Sequence, residues 1–298
     1  MNIVFFSPFW ALILLLALAL QARANDLDEI KASGVLRHLG IPYANFVTGA
    51  GDGLDVEITK RFAQHLGVKY QYVATDWKRV LSDLTGKKID PQGGKLKVVG
   101  ETPIRGDLIA NGLTVLPSRQ TLIDYSVPTF PSGVWLVARA EIAMTPIAAS
   151  GSLSEDITKT KAKLPGSSTL VMEATCLDPT LYNLAGKGLN LRYYTRSTNL
   201  NEMVPAILNR DAETTLLDVP DALIALEKWP GSIKVIGPIS EKQVMGVGFR
   251  KTSPKLRAAY DAFFSKLRQD GTYNELVRKY YPSALSYFPE FFQTGPQR

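Results

Sequence analysis

A planar guanidinium placed just past the end of a strand can grip a carboxylate with two parallel hydrogen bonds, and Arg119 has that placement. Asp107 to Ala110 is a short run suited to a buried strand, and Gly112 lets the backbone approach a ligand closely. Thr114 to Arg119 then turns out of the strand towards a cleft. The plainer reading is a surface arginine paired with Asp124. Thr175 is a second candidate, predicted to open a helix after a strand at Ser168–Met172. A hydroxyl and the free N–H groups of a helix N-terminus can meet a carboxylate there, and the plainer reading is an ordinary N-cap. Asp218 closes a predicted strand, Thr214–Leu217, and by residue type alone it suits the N-cap of a helix from Val219 to Glu227. Asp221 falls in the first turn of that helix, where a carboxylate is favoured.

Signals for catalysis are thin. His38 sits in a predicted strand and His65 on the polar side of a helix, so no Ser-His-Asp, Cys-His or metal-binding grouping emerges. Cys176 is the only cysteine, which excludes an intramolecular disulfide, and it reads as a small buried hydrophobe. No metal and no cofactor are expected. The formal net charge of +6 is thinly spread over 298 residues. Without a basic run interleaved with aromatics, nucleic acid is not an expected partner, while a mildly basic surface favours anionic ligands.

The elements that hold these residues follow from the hydrophobic pattern. Ile3 to Leu20 is an apolar run followed by Gln21-Ala-Arg-Ala24, which reads as a secretory signal, residues 1–24, cleaved after Ala24. No lysine or arginine precedes the run, so a retained anchor is the alternative. No second stretch is apolar enough to span a bilayer. Val35–Leu39 reads as a first strand, and Asp55 to Leu66 as a helix with Ile58, Phe62 and Leu66 on one face and Gly67 as terminator. Val68–Val73 is the next strand, then a helix capped by Asp76 and ended by Gly86. Lys95 to Val99 suggests a small hairpin or flap. After a strand at Val134–Ala138, the Ala-, Ser-, Pro- and Gly-rich stretch from Ala140 to Gly166 looks like a connection between domains. A helix is predicted from Glu173–Thr175 through Tyr182, one strand at Leu191–Tyr194, and helical spacing from Asn199 to Leu208. Strands at Ile233–Ile236 and Val244–Phe249 and a long helix from Ser253 complete the order. Alternating strands and helices argue for parallel α/β sheets.

Gly112, Thr114, Arg119, Asp124, Ser126 and Pro128 resemble the pattern Gly-Met-Thr-x-Thr-x-x-Arg, then Asp-Phe-Ser-x-Pro, of the extracellular solute-binding proteins of family 3. Leu116 departs from it, standing where a second Thr is usual. Leu-Gly-Ile-Pro-Tyr-Ala-Asn-Phe46 and Gly-Leu-Asp-Val-Glu-Ile58 extend the resemblance at one end. Asp-Val-Pro-Asp-Ala222 and Gly-Val-Gly-Phe-Arg250 extend it at the other, so that it covers nearly all of residues 34–281. Lys87 to Gly106 departs as an insertion. The resemblance implies a two-lobed type II periplasmic-binding-protein-like α/β fold, each lobe a mainly parallel sheet flanked by helices, with the ligand cleft between lobes. Lobe 1 would be 25–133 plus 247–298 and lobe 2 would be 134–246.

What that implies for function is a monomeric periplasmic receptor. It would capture a small amino acid or related carboxylate and deliver it to an inner-membrane ABC-type permease, without catalysis. Arg119 would take the α-carboxylate with backbone N–H groups near Thr114, Asp218 the α-ammonium, and Tyr43 would lay a ring over the ligand; Phe46 beside it reads as core. The cyclohexadienyl dehydratases, similar in fold, offer an enzyme alternative that uses an acid near Asp221, although they carry Glu there. A ligand-sensing accessory protein is a further alternative. The sensor lobe of lytic transglycosylase relatives would need a catalytic domain after residue 281.

Overall fold

The computed structural model describes residues 26–92 and 95–293, so the predicted signal segment lies outside the described residues. The strands are β1 Val35–Gly40, β2 Lys69–Ala74, β3 Lys87–Gln92, β4 Lys95–Glu101, β5 Leu108–Ile109, β6 Ile123–Tyr125 and β7 Phe130–Ser132. They continue as β8 Val134–Arg139, β9 Ser168–Val171, β10 Asn190–Tyr193, β11 Thr214–Asp218, β12 Ile233–Pro238, β13 Gln243–Met245 and β14 Gly248–Arg250. Two five-stranded sheets result, ordered β2-β1-β5-β14-β6 and β10-β9-β11-β8-β12. Strands β8 and β11 are buried along almost their whole length, as expected of central strands covered on both faces. By contrast β2 is largely exposed at an edge.

Each sheet is more evenly mixed than the alternation of elements predicts. In the first, β1 runs parallel to β2 and β5, whereas β14 is antiparallel to β5 and β6. In the second, β9 is parallel to β10 and β11, whereas β8 is antiparallel to β11 and β12. The reversed strands are those by which the chain enters the second sheet and returns to the first. β7 and β13, paired antiparallel from Phe130↔Met245 to Ser132↔Gln243, form the crossing.

Helices pack where the periodicity places them. Leu54–Leu66 buries Ile58 and Phe62 and stops where Gly67 turns left-handed at φ 72°. Pro254–Gln269 buries Leu256, Tyr260, Phe263, Phe264 and Leu267. Asp76 accepts the Arg79 amide at 2.9 Å in a turn, but the helix itself starts only at Val80. The aromatic C-terminal stretch folds back on the first sheet's side: Phe292 is buried against Phe130 and Tyr273.

Three expectations are corrected. The stretch from Ala140 to Gly166 does not connect domains, because β8 and β9 lie in the same sheet. It contains a helix, Leu153–Lys161, capped by the Ser152 hydroxyl. No helix runs from Thr175 to Tyr182; only a single 3-10 turn, Pro179–Tyr182, forms. The predicted strand Val244–Phe249 is split, with β13 in the crossing ribbon and β14 in the first sheet. Among the described residues no helix is long and apolar enough to cross a membrane.

Candidate functional site

Leu116 is extended and Pro117 starts the short helix Pro117–Gln120, which turns Arg119 inward until it is only 5% exposed. Its Nη1 donates to the Thr114 carbonyl at 3.0 Å, and its guanidinium carbon lies 5.7 Å from the centre of the Trp77 ring. Among the described residues no carboxylate comes within ion-pair distance of it. Asp124, the alternative partner, faces Arg257 instead at 3.7 Å. A buried cation without a counter-ion costs several kcal/mol, on the order of the effective desolvation penalty. Such an arginine is suited to an anion that arrives from outside the chain.

Asp218 ends β11 and occupies the N-cap position of the helix Val219–Lys228, yet its side chain makes no capping bond. Oδ2 accepts from the Tyr43 hydroxyl at 2.8 Å and the Cys176 thiol at 2.9 Å, while Oδ1 is buried without a partner. Burial pushes its pKa up, and the bonds from Cys176 and Tyr43 and the positive charge of Arg119 oppose the rise. Tyr43 follows β1, so its hydrogen bond joins the two sheets. The ring stacks on Phe46 at 6.1 Å and meets Trp77 edge-on at 5.8 Å. Burial, with Asp218 alongside, raises the Cys176 thiol well above its ordinary value, so it is a protonated donor rather than a nucleophile.

Gly112 has φ 65°, and a Cβ there would lie 2.4 Å from the Phe46 ring; both facts demand glycine. Its amide donates to Asp55 Oδ2 at 2.7 Å, an internal partner rather than a ligand. Thr114 keeps its hydroxyl buried and unpartnered, and its carbonyl accepts from Arg119 and Tyr125. Thr175 opens no helix. Its hydroxyl donates to the Met172 carbonyl at 2.8 Å and accepts the Leu177 amide at 3.0 Å. The reason is local: Ala174 is left-handed at φ 60°, and the Asp178 carboxylate captures the amides of Ala174 and Thr180. Side-chain bonds of this kind compete with helix formation. Asp221 is buried without a hydrogen-bond partner among the described residues. Burial first, then the neighbouring charge of Asp218, raises its pKa to about 8.

A cavity of about 200 Å³ lies against this cluster. Arg119, Trp77, Leu116 and Thr175 form one part of its wall, and Ile89, Pro91, Lys95 and Leu96 of the β3–β4 hairpin form another. Tyr43, Gly112, Thr114 and Asp218 are not on that wall. The structure thus places Arg119 and Thr175 at the cavity, joins Tyr43 to Asp218 beside it, and sets Gly112 further back against Phe46. Reading the sequence missed Trp77, Cys176 as a partner of Asp218, and the hairpin's place in the cleft. For Trp77 a signal existed, an aromatic directly behind the end of β2. Among the described residues no group of three or more His, Cys, Asp or Glu could hold a metal ion.

Two sheets joined by a paired crossing, with polar groups of both meeting between them, define the two-lobed type II periplasmic-binding fold. The P235GK mutant of ArgBP from T. maritima superposes with a TM-score of 0.67 at 20% identity, over 86% of this chain and 99% of that one. An ancestral amino acid-binding protein, a precursor of cyclohexadienyl dehydratase, superposes at 0.65 with 22% identity, over 86% and 98%. The chain belongs to the bacterial extracellular solute-binding proteins, family 3, whose pattern matches residues 40–96 and 104–283. The break at 97–103 falls on β4 and the loop after it, a narrower departure than the 87–106 insertion expected from sequence. The L-cystine-binding protein TcyJ of Escherichia coli (strain K12) is 24% identical over 230 residues, 77% of this chain and 74% of that protein. The membrane-bound lytic murein transglycosylase F of Desulfosudis oleivorans is 25% identical over 230 residues, but the chain spans only 44% of its length.

Proposed function

We propose that this protein is a periplasmic receptor that holds a small amino acid or related carboxylate between lobe 1, residues 25–133 with 247–298, and lobe 2, residues 134–246. It then delivers the ligand to an ABC-type importer, and residues 1–24 direct export. The observation that carries the reading is Arg119, buried at the cavity wall with no carboxylate of its own among the described residues. Its fork would take the ligand carboxylate in two hydrogen bonds. The unpartnered Asp218 Oδ1 would accept from the α-ammonium, while Tyr43 stays on Oδ2. The relatives named for cystine and histidine binding, and neighbours solved with arginine, support an amino acid as the ligand class. Calorimetric titration with amino acids tests it: tight binding in wild type and loss in Arg119→Ala are expected, and equal affinity in both removes the clamp.

One observation favours a second reading, a dehydratase-like enzyme. With a pKa of about 8, Asp221 stays protonated at neutral pH, as an acid that protonates a leaving hydroxyl must. Asp221 does not line the cavity, which favours the receptor. Formation of phenylpyruvate from prephenate, lost in Asp221→Asn, would reverse that preference.

A further inference from the structure

We infer that the β3–β4 hairpin is the outer wall of a side-chain subsite and selects an amino acid with a bulky apolar side chain, an inference that rests on the receptor reading and adds the ligand class. Pro91 and Leu96 stand opposite one another in the hairpin register, so their side chains share a face, and both line the cavity together with Ile89. Trp77, Leu81 and Leu181 add apolar lining to the same cavity, with the Trp77 ring 5.7 Å from the Arg119 guanidinium carbon. Trp77 Nε1 is buried there without a partner, so an incoming ligand meets an indole whose polar edge is unspent.

The hairpin is fixed at its base rather than draped loosely. The Ile89 amide donates to Ser82 Oγ at 3.1 Å, the Thr102 amide to the Gly86 carbonyl at 2.9 Å, and Arg105 pairs with Asp83 at 2.9 Å. A wall held in this way can discriminate by shape. Charge gives little bias, because Lys78 and Lys95 on the lining are matched by Glu173 and Asp178. The volume of about 200 Å³ is below the roughly 300–1,000 Å³ of drug-sized sites, which limits the occupant to one amino-acid-sized body.

The test is calorimetry on the full chain with L-phenylalanine, L-leucine, L-alanine and L-glutamate as probes. Wild type should bind phenylalanine or leucine at least tenfold more tightly than alanine and glutamate. Ile89→Ala combined with Leu96→Ala should shrink that preference to threefold or less. Leu96→Ala alone should give an intermediate ratio should the double variant fail to fold. Val99→Ala, at an exposed position of β4 that does not line the cavity, should change nothing. Alanine or glutamate binding as tightly as phenylalanine, or a preference untouched by the hairpin variants, overturns the subsite and leaves the receptor standing. Binding of none of the four overturns the subsite, while the receptor reading is decided by the wider titration with amino acids.

Discussion

Arg250 and Arg119 are both buried, at 3% and 5% exposure, in opposite electrostatic settings. Arg250 lies 3.5 Å from the Asp107 carboxylate and donates to the carbonyls of Leu84 and Gly106, while Arg37 holds the same carboxylate at 2.7 Å. Arg119 has the Thr114 carbonyl, the neighbouring Tyr125 hydroxyl and the face of an indole, and no carboxylate among the described residues. The acids divide in the same way. Asp107 is neutralised by two guanidinium groups, whereas Asp218 keeps one oxygen unpartnered and Asp221 has no partner among the described residues. A buried charge that the fold has already balanced belongs to the framework, and one that it leaves unbalanced, as at Arg119, is what the proposed clamp requires.

The contrast can be broken most decisively at its paired end. Arg250→Met should lower the free energy of unfolding by about 3 kcal/mol, because Asp107 loses one of its two cations inside the protein. Urea denaturation measures this, and ligand affinity of the folded protein should not move. If Arg119→Met costs as much stability, the distinction between the two arginines collapses.

Titration addresses the unbalanced acids. Asp221, raised from 3.8 to about 8, holds a proton in the folded state that the unfolded chain has released. Its contribution to stability is therefore complete below about pH 4 and declines as pH climbs to 8. Asp55, raised by burial to about 7, acts in the same direction; His38, lowered by burial to about 4, instead gains stability as pH rises from 4 to 6.5. Above pH 7 the slope belongs mainly to Asp221. Asp221→Asn should flatten it and exceed wild type at pH 8 by several kcal/mol, given that the rise spans about four tenfold steps in proton affinity worth about 1.4 kcal/mol each. Parallel pH profiles for the two proteins would show that the carboxyl is not the titrating group.

Smaller effects sharpen the ligand side. Arg119→Ala should weaken carboxylate binding by about 2 kcal/mol in calorimetry without lowering the urea midpoint, since it removes a buried cation that has no counter-ion among the described residues. Arg119→Lys, which keeps the charge and loses the fork, should cost about 1 kcal/mol. Equal losses for Lys and Ala would mean that geometry, not charge, holds the anion.

How much of this was legible in the sequence depended on the range of the interaction. Strands such as Val134–Arg139 and Thr214–Asp218, and the helix Pro254–Gln269, follow from local apolar runs and periodicity. Arg119 was visible because strand, turn and side-chain type are neighbours. The thiol of Cys176 on Asp218, 42 residues away, and Tyr43 on the same carboxylate, 175 residues away, leave no local trace. Thr175 failed for a different reason. Helix-like residue types were overruled by the Asp178 carboxylate, which rewards a turn within four residues.

The loop that carries Thr114 is bound to the crossing ribbon itself: Val115 donates to the Val244 carbonyl at 2.9 Å and Gly246 to the Leu113 carbonyl at 3.0 Å. Paired strands resist sliding, since slipping would break every bond in the ladder together, but they twist at little cost. In the receptor proposed above, a ligand held at Arg119 would act close to the ribbon that joins the two sheets. No relay of side chains would be needed to carry a change at that loop to the ribbon, and a twist of the ribbon would change the angle between the two sheets.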